Sequence, residues 1–213
     1  AIFGYNPSGL KVLLMECDLP QYSGKWSLVG DLLKQDETIN AAAHRILIEN
    51  TDLDNVYLEQ VESFSGIDRH PLGRVITLAY YAILNTSNHN IKHPSHLKLE
   101  WVNMRDINEL AFDHMTILKA CYNKLKRQIK LGAIAFGILP EKFSLMQLQK
   151  LYETVLNEKI DKRNFRRKMH TQGFLIDVGE NQNRVSHRPA KLYRFDRDKY
   201  QEITATRKLN FMI

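Results

Sequence analysis

The chain has 213 residues, 44% of them hydrophobic and 25% charged, and no apolar run reaches the length of a bilayer. These values exclude a helical membrane protein and a low-complexity chain. With no secretory leader pattern, they predict a cytoplasmic globular protein with room for two domains. The net charge of +6 is uneven: residues 143–213 hold 15 Lys+Arg against 8 Asp+Glu, and residues 1–142 hold 15 against 16. A near-neutral N-terminal part is thus joined to a basic third of the kind that binds a polyanion.

In chain order, Ala1 to Tyr5 and Leu10 to Cys17 read as a hairpin about Asn6-Pro7-Ser8-Gly9. A loop with Pro20, Tyr22 and Gly24 leads to a short strand, Trp26 to Val29. Thr38 can cap a helix that runs through Glu49. Val56 to Ser65 and Arg74 to Leu84 read as strands, the second rich in β-branched and aromatic residues. Between them lies the loop GIDRHPLG, where His70 reads as a surface residue. Tyr80 and Tyr81 must point to opposite faces. Asn85 to His96 is polar, Leu97 to Val102 a strand, and Ile107 to Leu131 helical in two pieces. Gly132 to Lys142, with Pro140, reads as a linker. Ser144 caps a helix whose Leu145, Leu148, Leu151, Tyr152 and Leu156 form one apolar stripe. The tail after Tyr200 shows no pattern. Cys17 and Cys121 lack metal-type spacing and read as buried thiols. The resulting division is an α+β domain over residues 1–135 and a smaller basic domain over residues 143–200.

Asp161 to Arg194 is the stretch richest in chemistry. Asp161 can cap a helix in which Phe165 and Met169 share the buried face. Lys162, Arg163, Arg166 and Arg167 lie largely off that face, and Gly173 ends the helix. Phe174 to Val178 and Leu192 to Phe195 read as paired strands around a loop holding Arg184, His187, Arg188 and Lys191. Helix, strand, basic loop, strand is the order of a winged helix-turn-helix. Its helix would enter the major groove of double-stranded DNA, and its loop would touch the flanking backbone. The candidate DNA-contacting residues are Lys162, Arg163, Asn164, Arg166 and Arg167 on the helix, with Arg184, Arg188 and Lys191 in the wing. A solvated basic helix beside an ordinary hairpin is the alternative.

Trp26 to Leu53, WSLVGDLLKQDETINAAAHRILIENTDL, resembles the Nudix box, G-x5-E-x7-R-E-U-x-E-E-x-G-U. Glu37, Arg45, Leu47, Glu49 and Leu53 match it. Asp31 stands at the first Gly, Ile46 at the Glu after the Arg, Asn50 at the second Glu of the pair and Asp52 at the late Gly. In the family the box glutamates hold Mg²⁺ against a pyrophosphate, and a hard cation needs several carboxylate oxygens. Ile46 offers none and Asn50 only a neutral amide. The expectation is therefore no catalytic residues, no bound metal and no cofactor. The fold expected is a Nudix-like mixed β-sheet sandwiched by helices, followed by a winged helix.

A degenerate Nudix domain followed by a winged helix resembles the Nudix-related transcriptional regulators. The shared-looking pieces are WSLVGDLL, FSGIDRHPLGRVITLAYY, AFDH at Ala111 to His114, and LQKLYE with DKRNFRRKM. That resemblance implies a homodimeric repressor that binds a two-fold operator and a small-molecule effector, with no membrane partner. The candidate effector-binding residues are Asp68, Arg69 and Arg74 in the loop, with Glu37, Arg45 and Glu49 in the box. For the last three, a salt-bridged helix face is the other reading. The eroded box is more similar to the sugar-sensing members, so control of an arabinose-type catabolic operon is expected. The alternatives are an ADP-ribose-sensing repressor of NAD metabolism and an active Nudix pyrophosphohydrolase.

Overall fold

A computed structural model describes residues 1–54, 56–71, 73–87, 98–183 and 189–206. The chain forms two compact units, Ala1–Leu125 and Lys126–Ile213. No helix among the described residues is long and apolar enough to cross a membrane.

The first unit is built on a mixed sheet. Strands β1 (Ile2–Asn6), β2 (Gly9–Glu16), β3 (Trp26–Leu28), β4 (Leu58–Phe64) and β5 (Thr77–Asn85) lie in the order β3-β2-β1-β5-β4. Strand β6 (Leu99–Asn103) pairs with β2. The β1–β5 pair is parallel; the other pairs are antiparallel. Period-two alternation sorts the side chains. Ile2, Leu13, Ala82 and Leu84 pack with Leu47 of helix α1 (Ile39–Thr51). Phe3, on the opposite side of β1, meets Tyr122 of helix α2 (His114–Leu131), their ring centroids 6.2 Å apart. The sheet is thus covered on both faces by helices. Gly4 is required by close approach, because a Cβ there would lie 2.5 Å from Thr86 and 2.6 Å from Trp101.

Two boundaries differ from the sequence expectation for visible reasons. The strand expected from Arg74 starts at Thr77, because the Arg74 guanidinium turns back and donates to the carbonyls of Ser65 and Gly66. The helix expected from Ile107 starts at His114, because Phe112 takes a left-handed φ of 56° and Ala111 N donates to Trp26 O.

In the second unit, helices α3 (Ile134–Ile138), α4 (Leu145–Leu156) and α5 (Lys162–Gln172) accompany a three-stranded sheet of order β7-β9-β8. Its strands are β7 (Lys142–Ser144), β8 (Leu175–Asn181) and β9 (Lys191–Phe195). The stretch read as linker therefore holds α3 and the start of β7. Helix α6 (Arg197–Thr206) occupies the tail that had shown no pattern. Ser144 closes a capping box with Gln147 at the start of α4. Gln149 and Glu153 side chains tie down Ile160 in the turn before α5. Asp161 Oδ1 accepts from Asn164 N at 2.8 Å, and Gly173, at φ 81°, ends α5. Phe165 and Met169 are fully buried, with the Phe165 ring edge-on to Tyr152. Phe136 stacks on Phe195 at 4.2 Å and meets Phe174 edge-on, which joins α3 to the sheet. This is a winged helix.

Candidate functional site

Arg45 is the hub of the box region. Its Nε and Nη2 donate to the two Glu37 oxygens at 2.9 and 2.8 Å. Nη1 donates to Asp31 Oδ2 and Glu49 Oε2, each at 3.0 Å, and Nη2 also donates to Leu32 O. Five acceptors thus meet the five N–H bonds that a guanidinium carries. Arg45, hydrogen-bonded to Glu37, holds that carboxyl down to about 2, helped by the Lys34 backbone N–H. The same bonds, first that to Glu37 and then that to Asp31, raise Arg45 above its ordinary range.

The donor set does not fit a magnesium cluster. Asp31, Glu37 and Glu49 surround a cation already. Ile46 has no donor, and Asn50 is buried with Nδ2 donating to Ile46 O at 2.8 Å. Among the described residues, no three His, Cys, Asp or Glu side chains form a metal-binding group. Asp52 takes φ 58°, the left-handed conformation that a glycine at this place in the box would adopt without strain.

The loop before β5 is held by a second ion pair. Arg69 Nε and Nη2 donate to Asp113 Oδ2 and Oδ1 at 2.9 and 2.7 Å, and Nη1 donates to Thr77 Oγ1 at 2.6 Å. Its side chain is 5% exposed, so Arg69 positions the loop and does not present its guanidinium to solvent. Arg74 is exposed and spans the loop through the two carbonyls, and Asp68 is exposed at the loop tip. His70, read as a surface residue, is half-buried and stacked on Phe112 at 5.0 Å. Phe112 also meets Tyr22 and His114. Leu28 N donates to His114 Nδ1 at 3.1 Å; burial drives this imidazole down to about 4 and keeps it neutral. The segment Ala111 to His114 therefore locks β3, the loop and the start of α2 together. Asp113 and Thr77 were not identified from sequence; their only signals were the resemblances of AFDH, which holds Asp113, and of FSGIDRHPLGRVITLAYY, which holds Thr77. Tyr81 is buried with its Oη donating to Glu59, while Tyr80 Oη donates to Asn40 Oδ1 at 2.8 Å with Gln60 Oε1 at 3.2 Å.

On α5, Lys162, Arg163, Asn164, Arg166 and Arg167 are all exposed. Arg167 Nη2 donates to Asn164 Oδ1 at 3.0 Å. Lys191 opens β9 and its Nζ donates to Asp177 Oδ2 at 2.9 Å. Arg184 and Arg188 lie outside the described residues.

A buried anchor face, an outward cationic face and a three-stranded wing are the parts of a DNA-binding module, which here follows a Nudix-type domain in the chain. Comparison with known proteins agrees. Residues 1–121 match the NUDIX domain, and residues 135–195 match the NrtR DNA-binding winged helix domain. The chain belongs to the Nudix family, in the branch that carries this winged helix. It is 35% identical over 202 residues to the ADPR responsive transcriptional repressor NtrR of Acinetobacter baylyi, spanning 92% of this chain and 79% of that protein. The crystal structure of Shewanella oneidensis NrtR complexed with a 27mer DNA is similar at a TM-score of 0.79 and 28% identity. That match covers 94% of this chain and 93% of the other. The Nudix domain of S. oneidensis NrtR in complex with ADP-ribose is similar at a TM-score of 0.51 and 26% identity, over 58% of this chain and 83% of that one.

Proposed function

We propose that this protein is a DNA-binding transcriptional repressor whose Nudix domain responds to ADP-ribose. The observation that carries the reading is the 35% identity to an ADP-ribose-responsive repressor across both domains. The ADP-ribose alternative drawn from the sequence is therefore better supported than the arabinose one. The sugar argument rested on lost metal ligands, which are needed to cleave a pyrophosphate but not to bind one. Arg74 and Asp68, exposed at the loop, are the proposed effector contacts; Arg69, bonded to Asp113 and Thr77, holds the loop that carries them. Hydrolysis is not part of the proposal, since the box carboxylates are committed to Arg45.

Helix α5 is proposed to enter the major groove. Two such helices from a homodimer would engage half-sites about one helical turn, or a multiple of it, apart. A dimer gains affinity through effective concentration that one winged helix lacks. The test is a mobility shift on the region upstream of the protein's own gene. The wild type should bind as a dimer. The Lys162→Ala, Arg163→Ala, Arg166→Ala, Arg167→Ala quadruple variant should fail to bind. Normal binding by that variant would refute the assignment of α5, and a monomer with full affinity would refute the dimer.

A further inference from the structure

Helix α5 carries cations on two faces. Phe165 and Met169 define its buried edge, and by helical periodicity Arg167 lies opposite that edge, with Arg163 and Thr171 beside it. Lys162, Arg166 and His170 stand four apart along the flank instead. These three, with Met146, Lys191 and Tyr193, line a cleft of about 530 Å³ between α5, the start of α4 and the base of the wing. The His170 ring sits edge-on to Tyr193, 5.6 Å away. The first turn of α4 forms one wall and brings the positive end of its dipole there. Among the described residues, one carboxylate ion-pairs with a lining cation: Asp177, whose Oδ2 accepts from Lys191 Nζ at 2.9 Å and whose Oδ1 accepts from Gly179 N at 3.0 Å.

We infer that this cleft is the seat of a backbone phosphate of bound DNA, clamped by Lys162, Arg166 and Lys191. Base reading then falls to Arg163 and Arg167, and Asp177 competes with the phosphate for Lys191. The inference rests on the DNA-binding reading above and divides its residues by task. An arginine that reads guanine needs its planar fork, whereas a phosphate needs only a nearby charge. Asn164, bonded to Arg167, keeps that fork oriented. Asp177 lowers affinity without touching sequence preference, because its charge acts on a sequence-independent contact.

The experiment measures affinity for two duplexes of equal length, the protein's own upstream region and its scrambled sequence, at several salt concentrations. Arg166→Ala should weaken both equally and lower the salt slope of log K by about one. Arg166→Lys should restore the slope. Arg167→Lys should keep the slope yet shrink the preference for the upstream duplex roughly tenfold. Asp177→Asn retains an oxygen for Gly179 N and should tighten binding to both duplexes alike. If Arg166→Ala changes the preference and not the slope, or Asp177→Asn leaves both affinities unchanged, the division of labour is wrong while DNA binding stands. If the wild type binds neither duplex, the DNA-binding reading itself fails.

Discussion

Arg69 and His114 show how single residues hold the first unit together. Arg69 is a buried cation matched by both oxygens of Asp113 and by Thr77. Removing one partner of such a pair strands the other, so Arg69→Ala should cost about 3 kcal/mol. Urea unfolding followed by tryptophan fluorescence measures this selectively, since both tryptophans, Trp26 and Trp101, lie in the first unit. A cost below about 1 kcal/mol, the range of an exposed pair, would contradict the buried arrangement. His114 carries a pH dependence of known sign. Burial lowers its pKa from the ordinary 6.5 to about 4, so the unfolded chain takes up its proton first as pH falls. Stability from this residue is complete above 6.5 and is lost as pH drops through about 4. His114→Asn can keep an acceptor for Leu28 N but does not titrate there. It should flatten the stability profile between pH 6.5 and 4, and an unchanged profile would remove His114 from the account. Neither role was legible in the sequence. The partners of Arg69 lie eight and 44 residues away, and no local pattern marks a residue that bonds across such a distance.

At the scale of elements, legibility followed the local signals. Thr38, Ser144 and Asp161 are caps that announce themselves, and all three accept from a first-turn N–H. Strand β7 is three residues long, too short for alternation to show, so its first residue was read as the end of a linker and its last only as a helix cap. Helix α6 buries no residue fully, so its apolar stripe is faint; its signal was Asp196, whose Oδ1 accepts from Lys199 N at 3.0 Å. The box was readable as a pattern, yet its geometry was not, because five bonds converge on Arg45 from a loop and a helix. The wing's Lys191 was picked out by charge, while the Asp177 that binds it was not. Helix α5 supplies the prediction at this scale. Asp161→Ala removes the N-cap bond, which should cost about 1 kcal/mol, and should weaken DNA binding by fraying the end that carries Lys162 and Arg163. Tryptophan-detected unfolding of the first unit should not change. A variant that binds DNA as well as the wild type would mean that the first turn of α5 is not needed at the interface.

For the whole molecule, the central claim is that one Nudix-type unit and one winged-helix unit make an ADP-ribose-responsive repressor. The two-domain plan was visible in the uneven charge and the order of elements. The effector was not, because the sequence marks which metal ligands the box lacks and carries no comparable pattern for the ligand itself. For an effector to weaken operator binding tenfold, it must favour the non-binding arrangement by about 1.4 kcal/mol. The most direct measurement is fluorescence anisotropy of the upstream duplex bound to the intact protein, titrated separately with ADP-ribose and with L-arabinose. The account predicts that ADP-ribose lowers operator affinity at least tenfold, is recovered uncleaved in the presence of Mg²⁺, and that L-arabinose has no effect. Release by L-arabinose alone, or rapid Mg²⁺-dependent cleavage of ADP-ribose with the duplex still bound, would contradict it.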